Sequence, residues 1–247
     1  MKKAHELMEK MLIDAAEILK RDNRLFWVEY GTLLGFVREG GFIEWERDVD
    51  LGVWKDNKDL AYKKKLSADF KKLGYKVCFS DGHLHIYCKN TEANVELDIN
   101  FYTTVDNMAV KPIYIPRNKL GVFLKRFLWS LYDLNTLKFA NNRFQAFLGN
   151  LIIIIPTVLF HLLPAYLREI ILPKIAKIQN ASFFINKSNC VPSCYFAEFR
   201  NFEIFGIELP IPKESESYLE YKFGHDWRTP KKQWDSFSQD KALLGNE

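Results

Sequence analysis

Tyr30-Gly-Thr-Leu-Leu-Gly-Phe-Val-Arg38 and Asp48-Val-Asp-Leu-Gly-Val-Trp54 are the two runs whose reading decides the fold. The second alternates, with Val49, Leu51 and Val53 interleaved between Asp48, Asp50 and Gly52. A strand has period two, so both carboxylates share one face while the aliphatic residues point to a core. Two acids side by side repel each other unless a cation lies between them. Oxygen-only ligands suit Mg²⁺, which commonly takes one or two carboxylates together with phosphate oxygens. In the first run Leu33 to Arg38 reads as a short helix ended by Gly40-Gly41. Gly31-Thr32 just before it is a glycine-hydroxyl turn running into a helix start, which offers backbone N–H groups to a phosphate.

Outward from this stretch the chain reads as α+β: a small mixed sheet flanked by helices. Leu7, Met11, Leu12, Ala15, Ile18 and Leu19 recur at helical spacing, so the first twenty residues form an amphipathic helix. Acids interrupt any apolar run there, which argues against a targeting signal and for a start in the cytosol, where the cysteines stay reduced. Leu25–Val28 is a short strand, and residues 58–73 a basic helix stopped by Gly74. Tyr75–Phe79 and Leu84–Cys88 flank Asp81-Gly82, a hairpin signal. Val95 to Tyr102 is a further strand, with Glu96, Asp98 and Asn100 on its polar face. Asp98 thereby becomes a candidate third ligand, with Glu96 its competitor. Tyr218–Phe223 is a last short helix before Gly224.

The 247 residues make one domain, or one domain with an insertion, and at 48% hydrophobic and 27% charged they exclude global disorder. The net charge is +4, but it is sorted along the chain. From position 111 to 180 basic residues greatly outnumber the two acids, Asp133 and Glu169, and Arg143 to Arg168 encloses a long uncharged run that includes Leu151–Ile155. Three readings are open for this run: a membrane span, an interfacial segment and a buried helical subdomain. Pro156, Pro164 and His161 weigh against a span. The joint excess of apolar and basic residues favours an anionic membrane surface. No nucleic-acid recognition motif accompanies the basic residues, so nucleic acid is not an expected partner.

With the residues in view, a resemblance emerges. Tyr30–Gly35, Val37-Arg38, Gly41-Phe-Ile43, Trp45 and Asp48–Gly52 resemble the LicD family of the nucleotidyltransferase superfamily, which includes bacterial phosphocholine transferases and relatives of fukutin. Tyr218-Leu219, Phe223-Gly224, Asp226-Trp227 and Thr229-Pro230 resemble the family's closing block. The resemblance covers about residues 25–102 and 210–231. It implies a Mg²⁺-dependent transfer, with Mn²⁺ as a substitute, of a phospho-substituent from a CDP-activated donor to a glycan hydroxyl, releasing CMP. By position it makes Asp48 and Asp50 metal ligands and Asp98 the third, as ligand or base. It gives Gly31 and Thr32 to the donor phosphate and Arg38 to a phosphate clamp.

The sequence departs from the family at Glu39, at Glu44 before Trp45, and at Glu46-Arg47, where acids are usual. Arg47 beside the acid pair weakens cation affinity or holds a donor phosphate. These departures bear on the donor: phosphocholine is the first expectation, with Trp45 and Trp227 as cation–π surfaces, and CDP-ribitol or CDP-glycerol the alternative. An inactive membrane-bound scaffold of the same fold is the reading outside enzymology. His83 and His85 share a face, as surface residues or as a base. Cys78, Cys88, Cys190 and Cys194 lack convincing zinc-ligand spacing. The layout expected is a catalytic core over 1–110, a basic apolar helical insertion over 111–180, and the rest of the catalytic domain over 181–247. The acceptor expected is a surface or lipid-linked glycan, met by a peripheral protein at the cytosolic face of the plasma membrane.

Overall fold

A computed structural model describes residues 2–56, 59–79, 82–88, 95–132, 143–176, 184–232, 240 and 242–245. The architecture is α+β, a mixed sheet flanked by helices. Two compact units are present: one of Met1–Val77, Gly82–Pro112 and Ser188–Leu244, the other of Cys78–Asp81, Ile113–Lys187 and Gly245–Glu247.

The first unit is organised by strand β5 (Glu96–Val105), which carries β2 (Asp48–Trp54) parallel on one side and β4 (His83–Tyr87) antiparallel on the other. β1 (Phe26–Val28) runs antiparallel to β2, and β3 (Lys76–Phe79) pairs with β4. The expected hairpin is thus present; Asp81 of its turn lies outside the described residues. Val49, Leu51, Val53, Leu84, Ile86, Leu97 and Ile99 are all fully buried. Helix α1 (Lys2–Arg21) packs against β2 and β5 and buries Met8, Met11, Leu12, Ala15 and Leu19. Each such Met or Leu side chain contributes about 1.5–3 kcal/mol of transfer free energy. Met8 is buried while Leu7 is only half so, a small rotation of the expected stripe.

Helix α2 spans Tyr30–Glu39 and ends at Gly40, whose φ of 71° is the left-handed C-terminal cap that glycine tolerates. It begins three residues earlier than the sequence suggests. Tyr30 takes φ 51°, turning the chain straight out of β1, and the Glu29 carbonyl accepts from Leu33 N–H. Gly31 and Thr32 therefore lie in the first helical turn, not in a turn before it. Helix α3 (Asp59–Lys72) follows β2, and α7 (Ser215–Phe223) lies beside α2.

Several strands carried no signal strong enough to expect. β6 (Met108–Pro116), β7 (Phe184–Pro192) and β10 (Leu243–Gly245) continue the sheet, and β8 (Phe199–Ile204) with β9 (Ile207–Pro212) makes a separate ribbon. Two of the turns have recognisable chemistry: Asp106-Asn107 (φ 47° and 61°) and Phe205-Gly206 (φ 53° and 72°) both place two successive residues at positive φ, as two-residue hairpins require.

The second unit holds helices α4 (Lys119–Tyr132), α5 (Arg143–Leu162, with Pro156 inside) and α6 (Ala165–Ala176). Leu128, Leu131, Ile153 and Phe160 are buried, and the Ser130 and Thr157 hydroxyls bond at 2.8 Å. On α5 Ile154, Ile155, Val158, Leu159 and Leu162 are exposed, Leu162 by 75%, followed by Tyr166 and Ile170 on α6. Among the described residues no helix is long and apolar enough to cross a membrane.

Candidate active site

Strand register assembles the acids. Asp50 is the neighbour of Asp98, and Asp98 in turn of His85, so Asp50, Asp98 and His85 form one row across β2, β5 and β4. Asp48, Glu96 and Tyr87 form the next row, and Gly52, Asn100 and His83 the row beyond. Register neighbours share a face with strands about 4.8 Å apart, so Asp48, Asp50 and Asp98 stand on one face, with Glu96 beside Asp98. His85 Nδ1 and Asp98 Oδ1 are 2.5 Å apart.

The charge density is expensive and the ionisation behaviour shows it. Asp50 is buried, and its pKa is held well above the usual carboxylate range by burial, then by Asp48, Asp98 and Glu29, with Lys111 opposing. Burial, with Asp98 next, also raises Glu96. Glu46 is pushed up to about 8 by burial and by its bond to Asp48. Glu29, at 0% exposure, is pushed up to about 7 by burial. Lys111, Tyr102, Lys222 and Asn100 pull it back, although neither carboxylate oxygen reaches good hydrogen-bond geometry.

Two buried lysines sit behind the acids. Lys111 donates to Asn100 Oδ1 at 2.6 Å, and the Asn100 amide approaches Asp50 Oδ1 at 3.4 Å. Lys222 pairs with Asp240 at 2.6 Å, and burial lowers its pKa against that pairing. Both ammonium groups lie over the Tyr30 ring, at 5.0 and 4.0 Å from its centroid, and the Tyr30 and Tyr102 hydroxyls are 2.5 Å apart. Lys111 had been counted with the basic insertion; in the structure it is 6% exposed and serves the acid centre.

Thr32 is buried and its Oγ1 accepts from the Asp50 N–H at 2.9 Å, fixing α2 to β2 at the acid pair. Beyond the helix start opens a shallow cleft of about 50 Å³ lined by Gly31, Arg38, Trp45, Glu46, Trp227 and Lys231, with Leu34, Ile43, Phe223 and Thr229. Gly31 faces the Glu46 carboxyl, 3.6 Å from where a Cβ would stand. Arg38 donates to the Trp227 carbonyl at 3.0 Å and to Glu39 Oε1 at 2.7 Å, so the acid at position 39 engages the guanidinium and the closing block is tied to α2. Arg47 turns back onto the carbonyls of Glu44 and Glu46, at 3.1 and 2.5 Å. Trp227 is 3% exposed, with the Arg228 guanidinium 4.2 Å from its ring centroid.

At the far end of the acid face Trp27 lies across Gly52. A Cβ on Gly52 would come within 2.2 Å of the indole, so only glycine fits. Trp27 stacks on Phe196 at 4.6 Å and forms an aromatic wall with Tyr102.

Four residues of this centre escaped the sequence reading: Glu29, Glu46, Lys111 and Lys222. A lone acid directly after the strand Phe26–Val28 is the signal for the first; nothing in the spacing signals the lysines. The four cysteines are free thiols, and among the described residues they join no three-ligand group.

The profile of the LicD/FKTN/FKRP nucleotidyltransferase domain matches residues 23–146, which contain α2 and all the acids of the three rows. Uncharacterized protein RP689 of Rickettsia prowazekii is 36% identical over 90 residues, covering 36% of this chain and 32% of that protein. Uncharacterized protein RT0683 of Rickettsia typhi is 38% identical over 76 residues, covering 31% and 24%. The matched part thus spans about a third and a quarter of these relatives. With half of its length under the family profile, the chain belongs to the LicD family.

Proposed function

We propose that this protein transfers a phospho-substituent, phosphocholine in the first instance, from a CDP-activated donor to a glycan hydroxyl, releasing CMP. The observation that carries the reading is the row geometry: Asp48, Asp50 and Asp98 on one face, with Gly31, Arg38, Trp45 and Trp227 lining one cleft by the start of α2. Family membership supports the reaction class.

Asp48, Asp50 and Asp98 share one face, but their carboxylate oxygens do not all lie within 4.8 Å of one another, so a divalent ion held by all three would draw the side chains together. Asp50 has its pKa raised by burial first and then by the nearby carboxylates of Asp48, Asp98 and Glu29, and a cation would offset the charge repulsion. Asp48, Asp50 and Asp98 would hold Mg²⁺, an all-oxygen set that Mn²⁺ also accepts. When bound, the ion supplies charge neutralisation for the donor's phosphates and acidifies the attacking hydroxyl. The chain's own groups do the rest. The N–H groups of the first turn of α2, at Gly31 and Thr32, orient donor phosphate. Thr32 Oγ1 keeps Asp50 in register. The Trp45 face suits a quaternary ammonium head group, whereas Trp227, buried and with Arg228 over its ring, backs the cleft. Arg38, engaged by Glu39, shapes the cleft and is available to phosphate only by exchanging that partner. In the alternative to its role as ligand, Asp98 would act as base to the acceptor hydroxyl.

The acceptor we propose is a lipid-linked glycan met at the cytosolic face of a membrane. The exposed Ile154, Ile155, Val158, Leu159 and Leu162 on α5 are one helical face, and Arg117, Lys119, Lys125, Arg126 and Arg168 supply positive charge in the same unit. That combination suits an interfacial helix on anionic lipid. Vesicles containing phosphatidylserine should sediment the protein, less so at high salt, and Ile155→Glu with Leu159→Glu should abolish this.

The deciding assay is CMP release from a panel of CDP donors with Mg²⁺ and a glycan acceptor. Turnover of CDP-choline that Asp50→Asn removes supports the proposal. Turnover of CDP-ribitol or CDP-glycerol alone replaces the donor, and neither turnover nor nucleotide binding replaces the enzyme with a scaffold.

A further inference from the structure

We infer that His83, His85 and Asp98 form a binding site for a divalent transition ion of the Zn²⁺ or Co²⁺ kind, beside the carboxylate set and sharing Asp98 with it. The two histidines are two residues apart on β4, so strand periodicity puts both rings on one face. Their centroids are 4.1 Å apart at an interplanar angle of 81°. Register sets His85 opposite Asp98 and His83 opposite Asn100. One ring nitrogen from each histidine and one Asp98 oxygen lie within 4.8 Å of one another. The side chains of His85 and Asp98 are 15% and 17% exposed, accessible to an ion but largely withdrawn from water. All three stand on adjacent hydrogen-bonded strands, so the ladder itself holds the donors together.

The chemistry of the set differs from its neighbour. Asp48 and Asp50 offer oxygen only, the choice of Mg²⁺; two imidazoles favour later first-row ions. Three protein ligands with a position left open is the count of catalytic sites and not of closed structural ones. Asp98 is register neighbour to both Asp50 and His85, so it stands between a hard site and a softer one. An ion bound here takes a neutral nitrogen from each ring, and any proton carried by His85 on the Asp98 side leaves to solvent.

The test is a titration of metal-free full-length protein with Co²⁺, read by the visible d–d absorption that nitrogen ligation produces. It is run on wild type, His83→Gln, His85→Gln and the double variant Asp48→Asn, Asp50→Asn, each checked for fold by circular dichroism. Wild type should bind, either histidine variant should bind about tenfold more weakly or worse, and the double variant should retain the bands in the presence of excess Mg²⁺. Absence of bands in wild type overturns the inference, as does loss in the aspartate variant with retention in both histidine variants. Should a variant misfold, absence of bands in wild type still overturns the inference. CMP release with Mg²⁺ alone tests the transferase reading separately, so the two can fail independently.

Discussion

Glu29→Gln should make the protein more stable, and by an amount that grows with pH. The Glu29 carboxyl is fully buried and titrates near 7 instead of its ordinary 4.5. A folded-state pKa above the unfolded one means that the native protein holds a proton that the unfolded chain has released. Stability is then complete below the unfolded pKa and falls as pH rises towards the folded one. With 1.36 kcal/mol per pKa unit, the loss integrates to about 2 kcal/mol at about pH 6 and about 3 kcal/mol at about pH 8. Glutamine keeps the shape and mimics the protonated acid. The variant should therefore match wild type near pH 4.5 and exceed it by about 3 kcal/mol near pH 8, roughly 6–12 °C in Tm for a chain of this size. The assay is thermal unfolding by circular dichroism in chelator across that pH range. A variant less stable than wild type near pH 8, or a gain independent of pH, would refute the reasoning. Either would mean that Lys111 and Lys222 keep Glu29 ionised as their necessary counter-charge.

Three other perturbations follow from contacts described above. Thr32→Val leaves the buried Asp50 N–H without its acceptor and should cost about 1–3 kcal/mol in urea unfolding, with Thr32→Ser near wild type. Gly52→Ala drives a methyl into the Trp27 indole and should destabilise by about 1–3 kcal/mol or more, with altered near-ultraviolet circular dichroism; a silent substitution would show that the indole is free to move. Arg38→Ala removes the bond to the Trp227 carbonyl and should speed amide exchange of the 224–231 segment, whereas unchanged protection would assign its order to packing alone.

The acid face was legible because it is a matter of period: Asp48 and Asp50 at i and i+2 fix their own face, and Glu96, Asp98 and Asn100 fix theirs. What period two cannot give is partner strand and direction. The parallel pairing that makes Asp50 the neighbour of Asp98 is decided by α3 and the β3–β4 hairpin between them in sequence. The buried counter-charges were illegible for a different reason. Lys111 sits in a run of basic residues and Lys222 in a short polar helix, and both look solvated until burial places them against Tyr30. β6 to β8 alternate poorly, and in β9 the prolines at 210 and 212 mask a clear alternation, although Asp106-Asn107 marks one hairpin. The start of α2 was misjudged by three residues because a tyrosine at φ 51° is not an expected entry to a helix.

The distance along the chain between Glu29 and Lys222 has a consequence for biogenesis. The acid is synthesised 193 residues before this cation, and at about 5–20 residues per second the interval is roughly 10–40 s. During it the nascent β1, β2 and β5 carry Glu29 and Asp50 with Lys111 as the basic side chain already made. Final closure of the first unit therefore waits for α7 and is not set by the strands that bear the acids.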